Sequence, residues 1–392
     1  MSRWTQIREI TLMNLRSIPE RLGPSLVIVV GIAGVVGVLV ALLSMSAGLQ
    51  QTLGSGGRTD QVVVTRGGSN GELSSFLSIG SATLIQQDPA IARDAEGMPL
   101  ASAELIVITE VPRPGQRTGA NVTLRGLPPV GLGLREDFRI TQGRLFRPGV
   151  QELIVGAGAA QQFAGLEVGR TLRFRGSTWT VVGHFAGGGI YDSELWSDVG
   201  TVQSAWRRAA VSSVLVQLAR PAELPVMAER LRENPQLDVE ASTQLDFYKG
   251  QSGNLTATIG VLAGVVAVIM AFGAAFGALN TMYSAVSART REIGTLRALG
   301  FGAAPVLVSV MAEALLLSLA GGLLGALLAY AAFNGYAVST LGGGFTQIAF
   351  EFAVTPALVG FGLGLALLIG FIGGLAPALR AARIPVTSAL RE

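Results

Sequence analysis

The chain has 392 residues, 49% of them hydrophobic and only 14% charged, with a formal net charge of +3 and a mean hydropathy of +0.50. Soluble domains carry about 25% charged residues, so the composition points to a membrane-inserted protein, and no nucleic-acid partner is expected. There is no cysteine, which excludes disulfides, thiolate nucleophiles and Cys-ligated metals, and Lys249 is the only lysine.

Residues 1–23 carry Arg3, Arg8, Arg16 and Arg21. Trp4, Ile7, Leu15 and Ile18 share one face at about 100° per residue, so this segment reads as a cytoplasmic amphipathic helix on the inner membrane surface. Pro19 and Pro24 allow a bend into the next segment. A helix crosses a hydrocarbon core with about 20 apolar residues. Four segments qualify: 24–48, 254–283, 303–330 and 354–376, none with Arg or Lys. The first is longer than a signal-peptide apolar region of about 7–15 residues, so it is expected to remain as an anchor in the lipid bilayer.

Arginines set the orientation. Arg289, Arg291 and Arg297 fall between the second and third spans, and Arg380, Arg383 and Arg391 follow the fourth. The loop 331–353 has no Arg or Lys. By the positive-inside rule both termini, 284–302 and the tail 377–392 are cytoplasmic, with 49–253 and 331–353 outside. Glycine pairs spaced by four recur at 260/264, 273/277, 321/325, 360/364 and 370/374. They suit close helix packing within one subunit, or a dimer seam.

The segment 49–253 is long enough for its own core. Strand-like runs fall at 61–65, 104–111, 121–127 and 152–156. In 171–185, Leu172, Phe174, Trp179 and Val181 alternate with Arg173, Arg175, Thr178 and Thr180, as a half-buried hairpin does. The runs 211–218, 222–233 and 237–242 read as a β-α-β unit, so the domain is α+β. Gly67–Gly80 and Gly187–Gly189 read as mobile loops. His184 is the only histidine and reads as structural. Acid pairs such as Asp192/Glu194 and Asp88/Asp94 read as solvated. No nucleophile–base set is visible, and metal sites with several His or Cys ligands are excluded.

No P-loop of the form G-x-x-x-x-G-K-[ST] occurs, since Lys249 is followed by glycine. Ion-coupled transport would call for repeats and several intramembrane charges. Glu313 is the one acid within a span. It is read as structural or coupling, with Asn280 on the second span as a hydrogen-bond partner, or as a proton carrier. In SARTREIGTLRALGFG, 287–302, Ile293, Leu296 and Leu299/Gly300 form a stripe, with Gly300 as a C′ residue. Arg289, Arg291, Glu292 and Arg297 surround it. Apolar anchors ringed by charge suit a protein interface; the arginines also fit simple topology signals.

The run 287–330 resembles the core signature of FtsX/MacB-type (type VII, mechanotransmission) ABC transporter permeases. There Arg-x-Arg-Glu-Ile-Gly precedes Leu-Arg-Ala-Leu-Gly, and a Glu and a Gly-rich run follow. The end 376–392 and the outer stretch 151–185 are similar to the family's tail and periplasmic core. The resemblance implies four transmembrane helices with a MacB-like periplasmic core inserted between helices 1 and 2. It implies a bacterial inner-membrane location and a dimer with a second permease copy or paralogue. The ATPase is expected to be a separate subunit, because the fused form carries it before the first span and this chain begins 23 residues before it. ATP and Mg would be bound by that partner, leaving no cofactor and no catalysis in this chain. The segment 284–302 is then the coupling helix that docks the ATPase through Arg289, Arg291, Glu292, Ile293, Leu296, Arg297, Leu299 and Gly300. Spans one and two are expected to continue outward as a stalk. The implied function is ATP-driven export or extraction of a substrate from the periplasm or outer leaflet, with a periplasmic adaptor and outer-membrane channel as further partners. Signalling to a periplasmic partner such as a cell-wall hydrolase is the alternative, and a membrane-anchored enzyme a third.

Overall fold

In lipid a long continuous apolar run satisfies its own backbone as a helix, and among the described residues four helices are long and apolar enough to cross a membrane. The protein's structure is a computed structural model that describes residues 3–16, 22–55, 57–113, 119–187, 189–341 and 347–384. It divides into a spanning unit, Met1–Ala47, Ala257–Tyr336 and Phe352–Glu392, and an outer unit, Gly48–Thr256 and Ala337–Glu351. The chain opens with α1 (Arg3–Arg16) and then α2 (Leu22–Ser55).

The outer unit begins with β1 (Gln61–Arg66), β2 (Leu77–Ser78) and α3 (Ile79–Gln86), capped by the Ser78 hydroxyl, which accepts from Ser81 N. Long strands β3 (Ala101–Pro112) and β4 (Gly119–Leu127) follow, then α4 (Pro129–Gly133) and β5 (Arg139–Gly143). Next come β6 (Glu152–Gly156), α5 (Ala157–Gln162), β7 (Thr171–Phe174) and β8 (Ser177–Ala186). Then β9 (Leu195–Asp198) leads to α6 (Val199–Trp206), capped by Asp198. The unit continues with β10 (Ala210–Val211), β11 (Ser213–Gln217), α7 (Leu224–Glu233) and β12 (Val239–Thr243). Ten strands form one sheet in the order β12-β1-β11-β3-β4-β9-β6-β8-β5, with β7 on β8. The β11-α7-β12 unit is split, because β1 lies between its strands. Leu172, Phe174, Trp179 and Val181 enter one core, and the β7–β8 turn uses Arg175 and Gly176, both at positive φ. That matches the twist a two-residue hairpin turn needs.

A buried ionic cluster holds the middle of this unit. Arg125 on β4 reaches Glu104 on β3 at 2.8 Å, Glu194 at 2.8 Å and Glu72 at 3.0 Å. Arg135 bonds both Glu104 oxygens and lies over the rings of Tyr191 and Trp196. Burial alone would raise the Glu104 carboxyl, but the guanidiniums of Arg135 and Arg125 overcome it and hold it at about 2 instead of 4.5. Ser213 Oγ and Trp196 Nε1 donate to Glu72 and Glu194. This corrects two expectations. Gly67–Gly80 is tied into the core rather than mobile, because Glu72 supplies one of the cluster's carboxylates. Glu194 and Asp88 are buried rather than solvated, the latter paired with Arg230. Gly188, in the second glycine loop, lies outside the described residues.

In the spanning unit, α8 (Gln244–Ala288) begins in the outer unit and runs on as the second span. After it come α9 (Thr290–Ala298), α10 (Ala303–Phe333) and α11 (Pro356–Arg383). The hairpin β13 (Ala337–Leu341) and β14 (Gln347–Glu351) counts with the outer unit. At 34 and 45 residues, α2 and α8 measure about 50 and 68 Å, well beyond a hydrocarbon core of about 30 Å. Hydropathy marks where lipid begins, not where the helix stops: on α8 the polar stretch 244–253 carries buried Gln244 and Tyr248.

Two of the glycine pairs lie at close helix contacts. A Cβ on Gly321 would meet Val29 O at 2.7 Å, and one on Gly325 would strike Ala33, both on α2. Gly370 and Gly374 on α11 face Ser318 and Ala314 on α10 in the same way. The pairs 260/264, 273/277 and 360/364 face open space. α1 packs on α10, with Ile10 buried and Ser309 Oγ donating to Ile10 O at 3.4 Å. Ile7 is half-buried, while Ile18 and the side chains of Trp4 and Leu15 lie outside the described residues. The tail beyond 384, with Arg391, also lies outside them.

Arg125→Met would strand the buried carboxylates of Glu72 and Glu194 and leave Glu104 to Arg135 alone, and is expected to cost about 3–5 kcal/mol, read as a lower unfolding midpoint of the full chain in micelles. Because Glu104 is held below its unfolded value, its contribution is complete above about pH 4.5. It is lost as the pH falls toward 2, so Glu104→Gln should flatten the acid limb of the stability curve.

Candidate functional site

The charged stretch between the second and third spans forms two pieces. α8 continues to Ala288, Arg289 breaks the helix at φ −104 and ψ 10, and α9 takes up nine residues. α9 ends as its glycine directs. Gly300 sits at φ +93, its N–H donates to Arg297 O, and Phe301 N donates to Leu296 O. That pair of bonds with a left-handed C′ residue is a Schellman cap.

The two faces of α9 have different environments. Ile293 is 6% exposed and belongs to the same core as Val286, Val306, Val310 and Met311. Gly294 is buried beside it. Arg289 Nη1 donates to Glu313 Oε2 on α10 at 2.8 Å, with both side chains buried. At the other end Arg297 Nη1 donates to Ala382 O at 3.1 Å and Ile384 O at 2.6 Å, carbonyls at the end of α11. Those carbonyls stand at the C-terminal end of α11, its negative pole, so a guanidinium is well placed there. Arg291, Glu292, Thr295, Ala298 and Gly300 are exposed, and Leu299 is 73% exposed. Leu296 is half-buried.

The expected docking set is therefore split. The stripe of Ile293, Leu296 and Leu299 does not face one way: Ile293 points into the chain's own core. Arg289 and Arg297 are engaged inside the chain. Arg291, Glu292, Leu299 and Gly300 remain outward. The expected Glu313–Asn280 bond is also corrected. Glu313 pairs with Arg289, while Asn280 is exposed. The guanidinium wins because a buried carboxylate gains more from a full charge than from an amide. Glu313 also borders a cleft of about 280 Å³ between α2 and α8, whose lining includes Ser25, Thr281 and Ser284.

His184 Nε2 lies 2.7 Å from Leu166 O, a structural contact. Gly67-Gly68-Ser69-Asn70-Gly71 has the G-x-S-x-G spacing, but a three-residue 3-10 turn follows it, and Ser69 Oγ donates to Arg66 O. A nucleophile elbow needs a strand–turn–helix context. Among the described residues no group of three His, Cys, Asp or Glu is placed to hold a metal.

The MacB-like periplasmic core domain family matches residues 25–234, more than half of the chain. The chain belongs to that family. The FtsX-like permease C-terminal family matches residues 264–386, which include α9 and the Glu313 pair. The protein is thus an FtsX/MacB-type ABC transporter permease with four membrane helices and a periplasmic-type α+β domain between the first two. Among relatives, the macrolide export ATP-binding/permease protein MacB of Shewanella sp. (strain W3-18-1) is 37% identical over 138 residues, 35% of this chain and 20% of that protein. The uncharacterized ABC transporter permease YknZ of Bacillus subtilis (strain 168) is 27% identical over 204 residues, 51% of this chain and 49% of the relative. The chain is thus matched to about a fifth and about half of these relatives' lengths. The periplasmic region of MacB from Actinobacillus actinomycetemcomitans covers 51% of this chain and 95% of its own, at 17% identity and a TM-score of 0.38.

Gly300→Val places a β-branched side chain at positive φ. It is expected to cost the α9 terminus about 1–2 kcal/mol, seen as faster amide exchange over residues 295–301, with Gly302→Ser, at φ −71 and the N-cap of α10, as the silent control.

Proposed function

We propose that the outward face of α9 docks an ATPase lying outside these 392 residues, and that the permease converts its ATP cycle into movement of the outer domain. The observation that carries this is the division of α9 into a face bound to its own bundle and a face offering Leu299 amid Arg291 and Glu292. One exposed apolar anchor with charges around it is the composition of a specific, moderate interface. The 392 residues contain no P-loop, and the printed name of the MacB relatives joins ATP binding to a permease. Both support an ATPase supplied elsewhere, which would bind the ATP and Mg and leave this chain non-catalytic. A second permease copy or paralogue completes the pair in this reading.

The arginine distribution supports placing both termini and α9 in the cytoplasm of a bacterial inner membrane, with the outer unit in the periplasm. The work done there is export or extraction of a substrate from the periplasm or outer leaflet, with an adaptor and outer-membrane channel as further partners. Purification of the full chain from native membranes tests the docking. The wild type should bring down an ATP-binding subunit. Glu292→Arg and Leu299→Asp should reduce its recovery at least about tenfold, as loss of an interface anchor worth 1.4 kcal/mol or more would. Undiminished recovery in both variants would contradict the reading. Accumulation of a compound on deletion of the gene would favour transport over signalling.

A further inference from the structure

We propose that Arg289, Glu313 and Arg297 are positioning residues that hand movement of α9 to α10 and α11, and that none of them grips the ATPase. The inference rests on the docking reading above and assigns these three residues of the same segment a different task. Three attachments fix α9. At its N-terminal end Arg289 is held by Glu313 on α10 at 2.8 Å, both side chains inside the bundle. In the middle Ile293 is seated in the core of the spanning unit. At its C-terminal end Arg297 holds Ala382 O and Ile384 O. A helix tied at one point pivots, whereas one tied at both ends to two different helices moves with them as a body.

The alternative route, straight back along α8, is mechanically weak. The backbone leaves helical geometry at Arg289, and α8 is the least buried of the four spanning helices. α10, by contrast, is the most buried of the four. Its Gly321 and Gly325 lie against the backbone of α2 at Val29 and Ala33, and its Ala314 and Ser318 lie against Gly374 and Gly370 of α11. Close-packed contacts of this kind transmit displacement rather than absorb it. A push on α9 therefore enters at Glu313 and at the end of α11, and reaches α2 through the glycine seam.

Docking and transmission separate experimentally. The full chain, co-purified with its ATP-binding subunit in nanodiscs, is followed by hydrogen exchange with and without Mg-ATP. In the wild type, ATP should change exchange in α9, α10 and α11. Arg297→Met and Glu313→Gln should keep the subunit bound and keep the change in α9. The change in α10 and α11 should fall at least about fivefold, the lower end of measured couplings between sites. The swapped pair Arg289→Glu with Glu313→Arg should restore it. Loss of the subunit from Arg297→Met, as in Glu292→Arg, would overturn the inference, and so would an undiminished ATP response in α10 and α11. Should Glu313→Gln fail to insert, Arg297→Met, at a half-buried site, decides alone. A wild-type chain that captures no ATP-binding subunit overturns the docking reading and this inference together. Intact docking with an intact response overturns the inference alone.

Discussion

A charged group removed from water must meet its opposite, and the pair Arg289–Glu313 is where this protein's spanning unit obeys that rule. An isolated carboxylate in a packed helix bundle is strongly disfavoured. Glu313 on α10 therefore draws in an arginine from the break between α8 and α9. That pairing fixes one end of α9, and with Ile293 in the core and Arg297 on the carbonyls at the end of α11 it sets the rotation of α9 about its axis. Ile293, four residues after Arg289, is carried into the core, and Leu299 and Arg291 are carried out. The exposed face follows from the buried one.

The outer unit obeys the same constraint with more members. Three carboxylates, Glu72, Glu104 and Glu194, surround Arg125, while Arg135 shares Glu104 and covers the aromatic rings of Tyr191 and Trp196. Gln244 and Tyr248, at the start of α8, join through the Tyr191 hydroxyl. The glycine-rich segment 67–80 is thereby tied to the cluster through Glu72, beside the pairing of β2 with β10 and the burial of Leu77. Breaking such a buried pair costs far more than the pair adds over an apolar replacement, and here the ionic residues come from five separate parts of the chain.

Much of this was legible in the sequence because period and charge are local. Four apolar runs, the alternation of Leu172, Phe174, Trp179 and Val181, and the valines of 61–65 each report their environment within a few residues. The C′ role of Gly300 was readable for the same reason. The pairings were not. Nothing near Glu313 distinguishes Arg289, 24 residues away, from Asn280, and nothing near Glu72 points to Arg125. Long-range electrostatic partners are decided by the packing of whole elements, which carries no periodic signal. The stripe on α9 misled in the same way. Spacing shows that Ile293 and Leu296 share a side, but not whether that side meets a partner or the chain's own helices. The arginines carried a topological signal and a structural one at once, and the sequence displays only the first.

The central claim is that α9 has an inner face committed to its own bundle and an exposed outer face that receives the ATPase. The chain has no cysteine, so single introduced thiols report without background. The direct measurement is cross-linking, in native membranes, from Leu299→Cys, Arg291→Cys and Ile293→Cys in turn. The account predicts a covalent product with an ATP-binding subunit from positions 299 and 291, and none from 293. A product from 293, or none from both outward positions, would contradict it.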